Sequence, residues 1–266
     1  MIDMDHVSGL IRRTVAATIL PRFRNLATGE IAEKGPGDLV TIADTEAEEM
    51  LTGLLTEAWP GTLVVGEEAV SRDESVLERL KGDVPVWVID PVDGTLNFSE
   101  GVPVFGTILA YVVRGETRAG WIYDPIGDVM VSARQGQGAW EGARRLMVDK
   151  ATPLARMSGT AYWNRADWYS PDPALVASGR VGKIRNHRCS AADYQALALG
   201  RQHFVLSVGS KPWDHAAGVL ITHEAGGTAA FLDGTPYGFD RLESRMLAAA
   251  TAETAEAIRE AVGVRD

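Results

Sequence analysis

The sequence predicts an α/β protein that combines one large antiparallel sheet with a layered arrangement of strands and helices. Three observations support this prediction. Apolar residues recur at helical spacing near the start, short β-branched segments separated by Gly and Asp-Pro fill residues 104–148, and strand-like and helix-like segments alternate afterwards. The change of pattern near residue 150 divides the chain into two predicted lobes, residues 1–150 and 151–266, which we expect to form one compact unit.

The first predicted element is a helix from residue 4 to about 27, with Pro21 as a kink or break. Residues 29–44 mix Gly, Pro and charged side chains, which is typical of a mobile loop. An acidic first turn followed by repeated Met and Leu predicts a second helix over residues 44–59. Two short buried strands, TLVVGEE and VPVWVID, follow and end in acidic residues, and residues 104–148 form the predicted antiparallel meander.

The second half alternates four predicted strands with four predicted helices, which indicates a layered α/β lobe. No internal repeat or low-complexity segment interrupts the alternation. The strands begin near residues 154, 183, 203 and 245, and the helices near residues 172, 190, 213 and 251.

The composition is that of an ordinary globular protein. With 266 residues, 45% of them hydrophobic and 23% charged, the chain is long enough to bury a core without a disulfide or metal to hold it. The single cysteine, Cys189, cannot form an intrachain disulfide, which favours a reducing compartment and hence the cytoplasm. Asp3 and Asp5 precede the first apolar residues, unlike a secretory signal, and no apolar run approaches the ~18 residues that span a membrane.

The charge balance limits the classes of partner. Lysine and arginine number 26 and the acidic residues 36, so the net charge is −10. Nucleic acids and anionic membrane surfaces require concentrated positive charge, and neither is therefore expected as a partner. A small anionic substrate remains compatible with this charge if cations lie between it and the protein.

The segment WVIDPVDGTLNF, residues 87–98, is the most informative part of the chain. Its buried strand ends at Asp90, and the turn that contains Asp93 leads into a predicted helix start. Two carboxylates held this close repel each other unless a cation compensates, and Mg²⁺ is commonly bound by carboxylates together with phosphate oxygens. The amides of Gly94 and Thr95 would form an anion-binding helix end, so the metal and phosphate sites would coincide.

Further acidic residues follow the same pattern elsewhere. Glu67 and Glu68 end the preceding strand, and Asp214 follows Trp213 where it is expected to cap the next helix. Each of these has an ordinary structural explanation when taken alone, as a solvated strand end, a plain turn or a helix cap. Their order and spacing together indicate a metal site.

Four segments resemble the inositol monophosphatase family of metal-dependent phosphomonoesterases, in the same order and over nearly the whole chain. They are DLVTIAD at 38–44, GEE at 66–68, WVIDPVDGTLNF at 87–98 and WDHAAGVLITHEAGG at 213–227. The resemblance implies a five-layered αβαβα sandwich of the sugar-phosphatase type, two or three Mg²⁺ ions per site and a homodimer. It also implies that the N-terminal lobe holds most metal ligands and that the C-terminal lobe completes the site.

The resemblance also implies a role for individual residues. The catalytic residues would be Thr95, which orients the attacking water, Asp44 as its hydrogen-bond partner, and Glu67. Lys34 resembles the lysine of the family's mobile loop near a third metal. Gly94 and Thr95 would bind phosphate, and the metal ligands would be Glu67, Asp90, the carbonyl of Val92, Asp93 and Asp214.

The chemistry of phosphate monoesters agrees with such a site. Hydrolysis to an alcohol and inorganic phosphate depends on positioning and charge neutralisation more than on covalent catalysis. One metal can lower the pKa of a bound water while a second stabilises the leaving oxygen. No Cys, Ser or His nucleophile is then required, and no covalent phosphoenzyme forms. The sequence contains neither a P-loop nor an HExxH motif, which removes the main competing motifs.

The predicted substrate contacts depart from the family pattern at Ser207 and in the segment that carries Arg188 and Ser190. They are Asp93, Arg188, Ser190 and Ser207. Ser207 stands where inositol-selective members carry a glutamate, and a serine reaches less far and accepts hydrogen bonds less strongly. We therefore expect weaker selectivity for inositol phosphate, with histidinol phosphate, fructose 1,6-bisphosphate or a nucleotide 3′-phosphate as alternatives. The alternative outside enzymes is a regulatory binding protein that retains the phosphatase fold.

Overall fold

The computed structural model describes residues 2–35, 38–149, 152–164 and 167–263. Its α-helices are α1 Met4–Thr14, α2 Ile42–Ala58, α3 Glu67–Arg72, α4 Thr95–Ser99, α5 Pro173–Ser178, α6 Ser190–Ala198, α7 Pro212–Glu224 and α8 Ala252–Ala261. Its strands are β1 Ile31–Gly35, β2 Asp38–Thr41, β3 Leu63–Gly66, β4 Val86–Asp93, β5 Gly106–Val113, β6 Glu116–Asp124, β7 Val129–Arg134, β8 Ala139–Glu141, β9 Arg144–Arg145, β10 Ser158–Asn164, β11 Asp167–Pro171, β12 Lys183–Arg185, β13 Phe204–Ser207, β14 Thr228–Phe231 and β15 Met246–Ala249. None of the described helices combines the length and apolar character needed to span a membrane.

A seven-stranded sheet contains the predicted meander. Its strands follow the chain in the order β3-β4-β5-β6-β7-β8-β9. β3 and β4 are parallel, and every later pair is antiparallel. The β-branched segments of residues 104–148 thus form hairpin-connected strands, as their spacing predicts.

A second, six-stranded sheet lies in the C-terminal part of the chain. Its order is β11-β10-β13-β15-β14, and β12 pairs with β10 as well. β10 is parallel to β12 and β13, whereas β15 is antiparallel to both of its neighbours. The four predicted strands are present, and the structure adds β11 and β14, which the alternation did not predict.

Helices cover and separate the two sheets to give five layers. α1 and α2 pack on one face of the seven-stranded sheet, where Leu51 and Trp87 belong to one buried cluster. α6 and α7 lie between the two sheets. α5 and α8 cover the far face of the second sheet through Leu175 and Ile258. This order confirms the predicted αβαβα sandwich.

The middle helical layer joins the two halves of the chain. Buried residues from both halves, among them Val88 and Ile221, belong to one continuous hydrophobic cluster. α7 contacts strands of both sheets. The predicted lobe boundary itself, at residues 150 and 151, lies outside the described residues.

The first helix is shorter than predicted. α1 ends at Thr14 and continues as a π-helical turn, Val15–Ile19, and a 3₁₀ turn, Leu20–Arg22. Pro21 has no backbone N–H to donate to a preceding carbonyl, which is the physical reason the regular helix cannot extend toward residue 27.

The segment predicted as a mobile loop contains a two-stranded hairpin. β1 and β2 are antiparallel, with Ile31 opposite Thr41. Lys34 therefore lies on a strand and not in a loop. Gly, Pro and charged residues led to the loop prediction. In the structure Gly35 is the last residue of β1, and Pro36 and Gly37 lie outside the described residues.

Close contact within the middle layer leads to a stability prediction. A Cβ added to Gly218 of α7 would lie 2.3 Å from ring atoms of Tyr194 in α6. Gly218→Ala should therefore lower the free energy of unfolding by about 1–3 kcal/mol, as overpacked cores do. Gly53→Ala in α2 is the matched control, because nothing lies within 4 Å of its added Cβ.

Gly53→Ala should raise the free energy of unfolding by about 0.5–1 kcal/mol through helix propensity. Urea unfolding followed by circular dichroism measures both variants. Equal stability of Gly218→Ala and the wild type would contradict the close packing of α6 against α7.

Candidate active site

The buried strand β4 delivers two carboxylates to one point. The pairing with β5 shifts between Asp90, opposite Ile108, and Asp93, opposite Gly106, so one extra residue is accommodated on β4. Such a bulge changes the direction in which side chains point. Gly94 then adopts φ +87°, a left-handed conformation that favours glycine, and turns the chain into α4. Both carboxylates are therefore held on a backbone with little freedom.

A third carboxylate comes from the first turn of α7. Asp214 was expected to be the N-cap of this helix, and that expectation is wrong, because Lys211 is the N-cap. Pro212 is pre-organised for the first helical position and starts the helix before Asp214 is reached. One carboxylate oxygen from each of Asp90, Asp93 and Asp214 lies within 4.8 Å of the others. We call these three residues the aspartate trio.

The trio is electrostatically strained without a counterion. Burial raises the pKa of Asp90 well above its usual value, and the nearby charges of Glu67, Asp93 and Asp214 raise it further. Burial also raises the pKa of Asp93 to about 6, against hydrogen bonds that lower it. Because the folded-state pKa values of Asp90 and Asp93 are raised, ionising these two carboxyls destabilises the fold as the pH rises through those values.

A divalent cation fits this donor set. Asp90 Oδ1 is buried and has no hydrogen-bond partner in the part of the chain that the structure describes. A buried carboxylate oxygen without a partner is unfavourable, and a cation would supply the missing contact and offset the repulsion. Oxygen-only ligands dominated by carboxylates are those that Mg²⁺ prefers. The residues present therefore suit Mg²⁺.

Glu67 faces the same cavity but lies outside the trio. The strand β3 ends at Gly66, and Glu67 begins α3 instead of ending the strand as predicted. Its carboxylate accepts a hydrogen bond of 2.8 Å from Lys34 Nζ, which also donates to Glu68 over 2.9 Å. Burial alone lowers the pKa of Lys34, but Glu67 and Glu68 raise it by more, so Lys34 stays charged.

Glu48 supports this acidic pair and was missed in the sequence. It lies buried in α2, and its carboxylate accepts hydrogen bonds from the backbone N–H groups of Glu68 (2.8 Å) and Ala69 (2.9 Å). Burial raises the pKa of Glu48 to about 7 despite these bonds. The signal that could have found it is its position four residues after Asp44, on the same face of α2.

Thr95 and Asp44 are in direct contact. Thr95 Oγ1 lies 3.1 Å from Asp44 Oδ1 and 2.9 Å from the carbonyl oxygen of Val92. The other oxygen of Asp44 accepts from the backbone N–H (2.8 Å) and hydroxyl (2.5 Å) of Thr41. Burial raises the pKa of Asp44 to about 7, although both bonds from Thr41 lower it. The hydroxyl of Thr95 therefore has two acceptors, one of them a carboxylate that titrates near neutral pH.

The carboxylates open into a cavity of about 360 Å³. Gly94 and Thr95 lie on its wall together with Glu67 and the trio. The opposite side of the cavity is formed by residues of the C-terminal half. They include Tyr162, Arg188, Ser190, Ser207 and Lys211.

The predicted substrate residues differ in their surroundings. Arg188 has φ +53° and directs Nη2 to within 3.2 Å of Glu100 Oε2. Ser190 begins α6, whose first amides donate to Asp93. The hydroxyl oxygen of Ser207 is buried and has no hydrogen-bond partner among the described residues.

Asp193 organises this side of the cavity and was also missed. It is buried on α6 and accepts hydrogen bonds from the hydroxyls of Thr160 (2.7 Å) and Tyr162 (2.9 Å), while His187 Nδ1 lies 2.6 Å away. Tyr162 in turn accepts from the backbone N–H of Arg188 over 2.9 Å. An acidic residue within an otherwise apolar helical segment is the signal that could have identified Asp193.

Comparisons with known proteins agree with this fold. The sequence model described as "Inositol monophosphatase family" matches residues 4–264. An inositol-1-monophosphatase of Bacillus subtilis is 31% identical over 89% of this chain and 88% of its own length. Nus factor SuhB of Escherichia coli is also 31% identical, over 86% of this chain and 89% of its own length.

A solved structure extends the agreement to three dimensions. The Thermotoga maritima IMPase superposes with a TM-score of 0.81 at 26% identity and covers 98% of this chain and 96% of that one. The extragenic suppressor protein suhB from Bartonella henselae gives a TM-score of 0.80 at the same identity and coverage. With its sequence match, its five layers and its aspartate trio, the chain belongs to the inositol monophosphatase family.

Proposed function

We propose that the protein is a Mg²⁺-dependent phosphatase that hydrolyses a small phosphate monoester to an alcohol and inorganic phosphate. The observation that carries this proposal is that the aspartate trio and Thr95, which is hydrogen-bonded to the buried Asp44, line one cavity. Membership of the inositol monophosphatase family supports the same reaction.

The metal would be held by the trio together with Glu67 and the carbonyl of Val92. Bound there, Mg²⁺ would lower the pKa of a water molecule and neutralise the charge that develops on the leaving oxygen. Two Mg²⁺ ions would suit the several carboxylates around Asp90. A third ion would take the place of Lys34 beside Glu67.

The chain's own groups would position the reactants. Thr95 would orient the attacking water and accept a proton from it, while the Thr95 hydroxyl passes its own proton to Asp44, whose pKa is raised to about 7. The amides of Gly94 and Thr95, at the start of α4, would hold the phosphate oxygens. Glu48 would keep Glu67 aimed at the cavity through the backbone of α3.

The identity of the alcohol is a separate proposal. The Bacillus subtilis relative supports inositol 1-phosphate as a substrate. Ser207 in place of the inositol-binding glutamate argues against strong selectivity for it. Histidinol phosphate, fructose 1,6-bisphosphate and a nucleotide 3′-phosphate are therefore the alternative substrates.

A regulatory binding protein is the alternative class of function. The relatives named Nus factor SuhB support it. The net charge of −10 argues against direct binding to nucleic acid, so such a role would depend on protein partners. We propose the cytoplasm as the location, because a lone, buried cysteine suits a reducing compartment.

Removing the central carboxylate tests the reaction. Phosphate release from a panel of small monoesters should require Mg²⁺ or Mn²⁺, and Asp90→Asn should nearly abolish it, because Asp90 would help to hold the metal at the centre of the carboxylates. Asp83→Asn is the matched control. It removes the same charge from a side chain that is 90% exposed and lies away from the trio. Full turnover in excess EDTA, or an active Asp90→Asn variant, would refute the proposal.

Removing the Thr95 hydroxyl tests the positioning of water. Thr95→Ala should lower kcat by roughly 10²-fold or more, because general-base arrangements contribute about 10²–10⁴. Its affinity for Mg²⁺, measured by calorimetry, should stay close to that of the wild type. Thr95→Ser restores a hydroxyl and should recover most of the activity. Loss of metal affinity in Thr95→Ala would assign Thr95 a different role.

A homodimer is the proposed assembly. The family resemblance and the apolar meander support it. Light scattering at micromolar concentration should give twice the chain mass of 28.6 kDa. A mass equal to one chain would contradict the dimer.

A further inference from the structure

We propose that Lys211 and Ser207 form a subsite for a second anionic group of the substrate, so that the enzyme prefers phosphate monoesters carrying another phosphate or a carboxylate. This inference rests on the proposed function and names the substrate class for the same cavity. Its basis is that Lys211 and Ser207, four residues apart, both line the cavity, the first with a positive charge and the second with an unsatisfied hydroxyl.

Lys211 brings a positive charge to this wall without an acidic partner. It lines the cavity, and its ammonium nitrogen lies 5.2 Å from the centre of the Trp213 ring. No carboxylate oxygen of the described residues makes an ion pair with this nitrogen within 4.0 Å. A cation held against an aromatic face and not paired with a carboxylate is available to a bound anion.

Two neighbouring cations have acidic partners. Arg188 lies 3.2 Å from a carboxylate oxygen of Glu100. Lys34 lies 2.8 Å from Glu67 and 2.9 Å from Glu68. The chain therefore balances these two charges internally, and an anion bound at Lys211 would compete with no existing ion pair among the described residues.

Ser207 supplies the second half of the subsite. It ends β13, only 7% of its surface is exposed, and it lines the same cavity as Lys211. Its hydroxyl oxygen has no hydrogen-bond partner in the described part of the chain. Buried hydroxyls are nearly always hydrogen-bonded, so this one indicates a ligand oxygen at that point.

The loop between β13 and α7 holds both groups in place. Ser210 donates its backbone N–H to the carbonyl of Leu242 over 2.8 Å, and the backbone N–H of Ser244 donates to Ser210 Oγ over 3.2 Å. The hydroxyl of Ser210 also donates to the carbonyl of Arg241. A loop fixed in this way loses little entropy when a ligand binds.

The position of Lys211 explains why the second group should be anionic. Lys211 precedes Asp214 by three residues, so roughly one helical turn separates it from the trio. The proposed Mg²⁺ would offset the charge of the trio, so a second negative group on the substrate would need a cation of its own nearby. The ammonium of Lys211 and the positive end of α7, which has no side-chain cap, would attract such a group.

Substrate pairs that differ by one anionic group test the subsite. The pairs are fructose 1,6-bisphosphate and fructose 1-phosphate, adenosine 3′,5′-bisphosphate and adenosine 3′-phosphate, and 3-phosphoglycerate and glycerol 3-phosphate. We measure kcat/KM with Mg²⁺ for the wild type, Lys211→Gln and Ser207→Ala. Lys183→Gln is the matched control, because Lys183 is exposed on β12 and does not line the cavity.

The wild type should favour the doubly anionic member of the pairs. Lys211→Gln should reduce this preference roughly 10-fold or more, as expected for loss of a charged hydrogen bond, and Lys183→Gln should leave it unchanged. If the wild type prefers only the two bisphosphates, the second anionic group that the subsite binds is a phosphate. If the wild type also prefers 3-phosphoglycerate, the subsite binds a carboxylate as well. A preference that Lys211→Gln does not change, or an equal loss on both members of each pair, overturns the subsite.

An equilibrium measurement separates this inference from the proposed reaction. Calorimetry in the Thr95→Ala background with Mg²⁺ compares the Kd of fructose 1,6-bisphosphate and fructose 1-phosphate, with and without Lys211→Gln. If the wild type hydrolyses no monoester, the proposed function fails. The Kd values still show whether Lys211 binds the second anionic group. If Lys211→Gln leaves the ratio of the two Kd values unchanged, the proposed subsite is refuted.

Discussion

Repulsion among buried carboxylates is the constraint on which the rest of the site depends. Asp90 and Asp93 lie at the end of a strand that is buried along its whole length, and Asp214 approaches from the helical layer between the sheets. Burial and mutual repulsion raise the pKa values of Asp90 and Asp93, so the folded chain carries an unfavourable arrangement of charge at neutral pH. A bound cation would turn that cost into affinity, because the carboxylates are already gathered before it arrives.

The surrounding structure keeps these carboxylates from relaxing apart. One oxygen of Asp93 accepts hydrogen bonds from the thiol of Cys189 (3.0 Å) and the backbone N–H of Ala191 (2.6 Å), which ties the end of β4 to the start of α6. Glu48 ties α2 to the start of α3 in the same manner. Elements from three of the five layers thus meet at the cavity, and each is anchored by a hydrogen bond that crosses between elements.

The two sides of the cavity differ in charge. Carboxylates dominate the side formed by the N-terminal half, where metal and phosphate are proposed to bind, and hydroxyl and cationic groups dominate the other. Pairing with Glu100 compensates the charge of Arg188, whereas Lys211 rests on the ring of Trp213. The groups proposed to carry the reaction and those proposed to select the substrate therefore lie mainly on different sides, so the substrate-selecting residues can vary without disturbing the reaction.

Local pattern and motif spacing determined much of this protein in advance. The meander, the βα alternation and the carboxylates near Asp90 followed from periodicity and from residues placed at strand ends, because these signals act over a few neighbouring positions. Contacts between distant segments had no such signal. The pairing of Lys34 with Glu67, the burial of Glu48 and Asp193, and the exposure of Lys211 to the cavity were decided only when packing brought separate layers together. Burial sets the electrostatics of a charged group, and burial is a property of the tertiary structure.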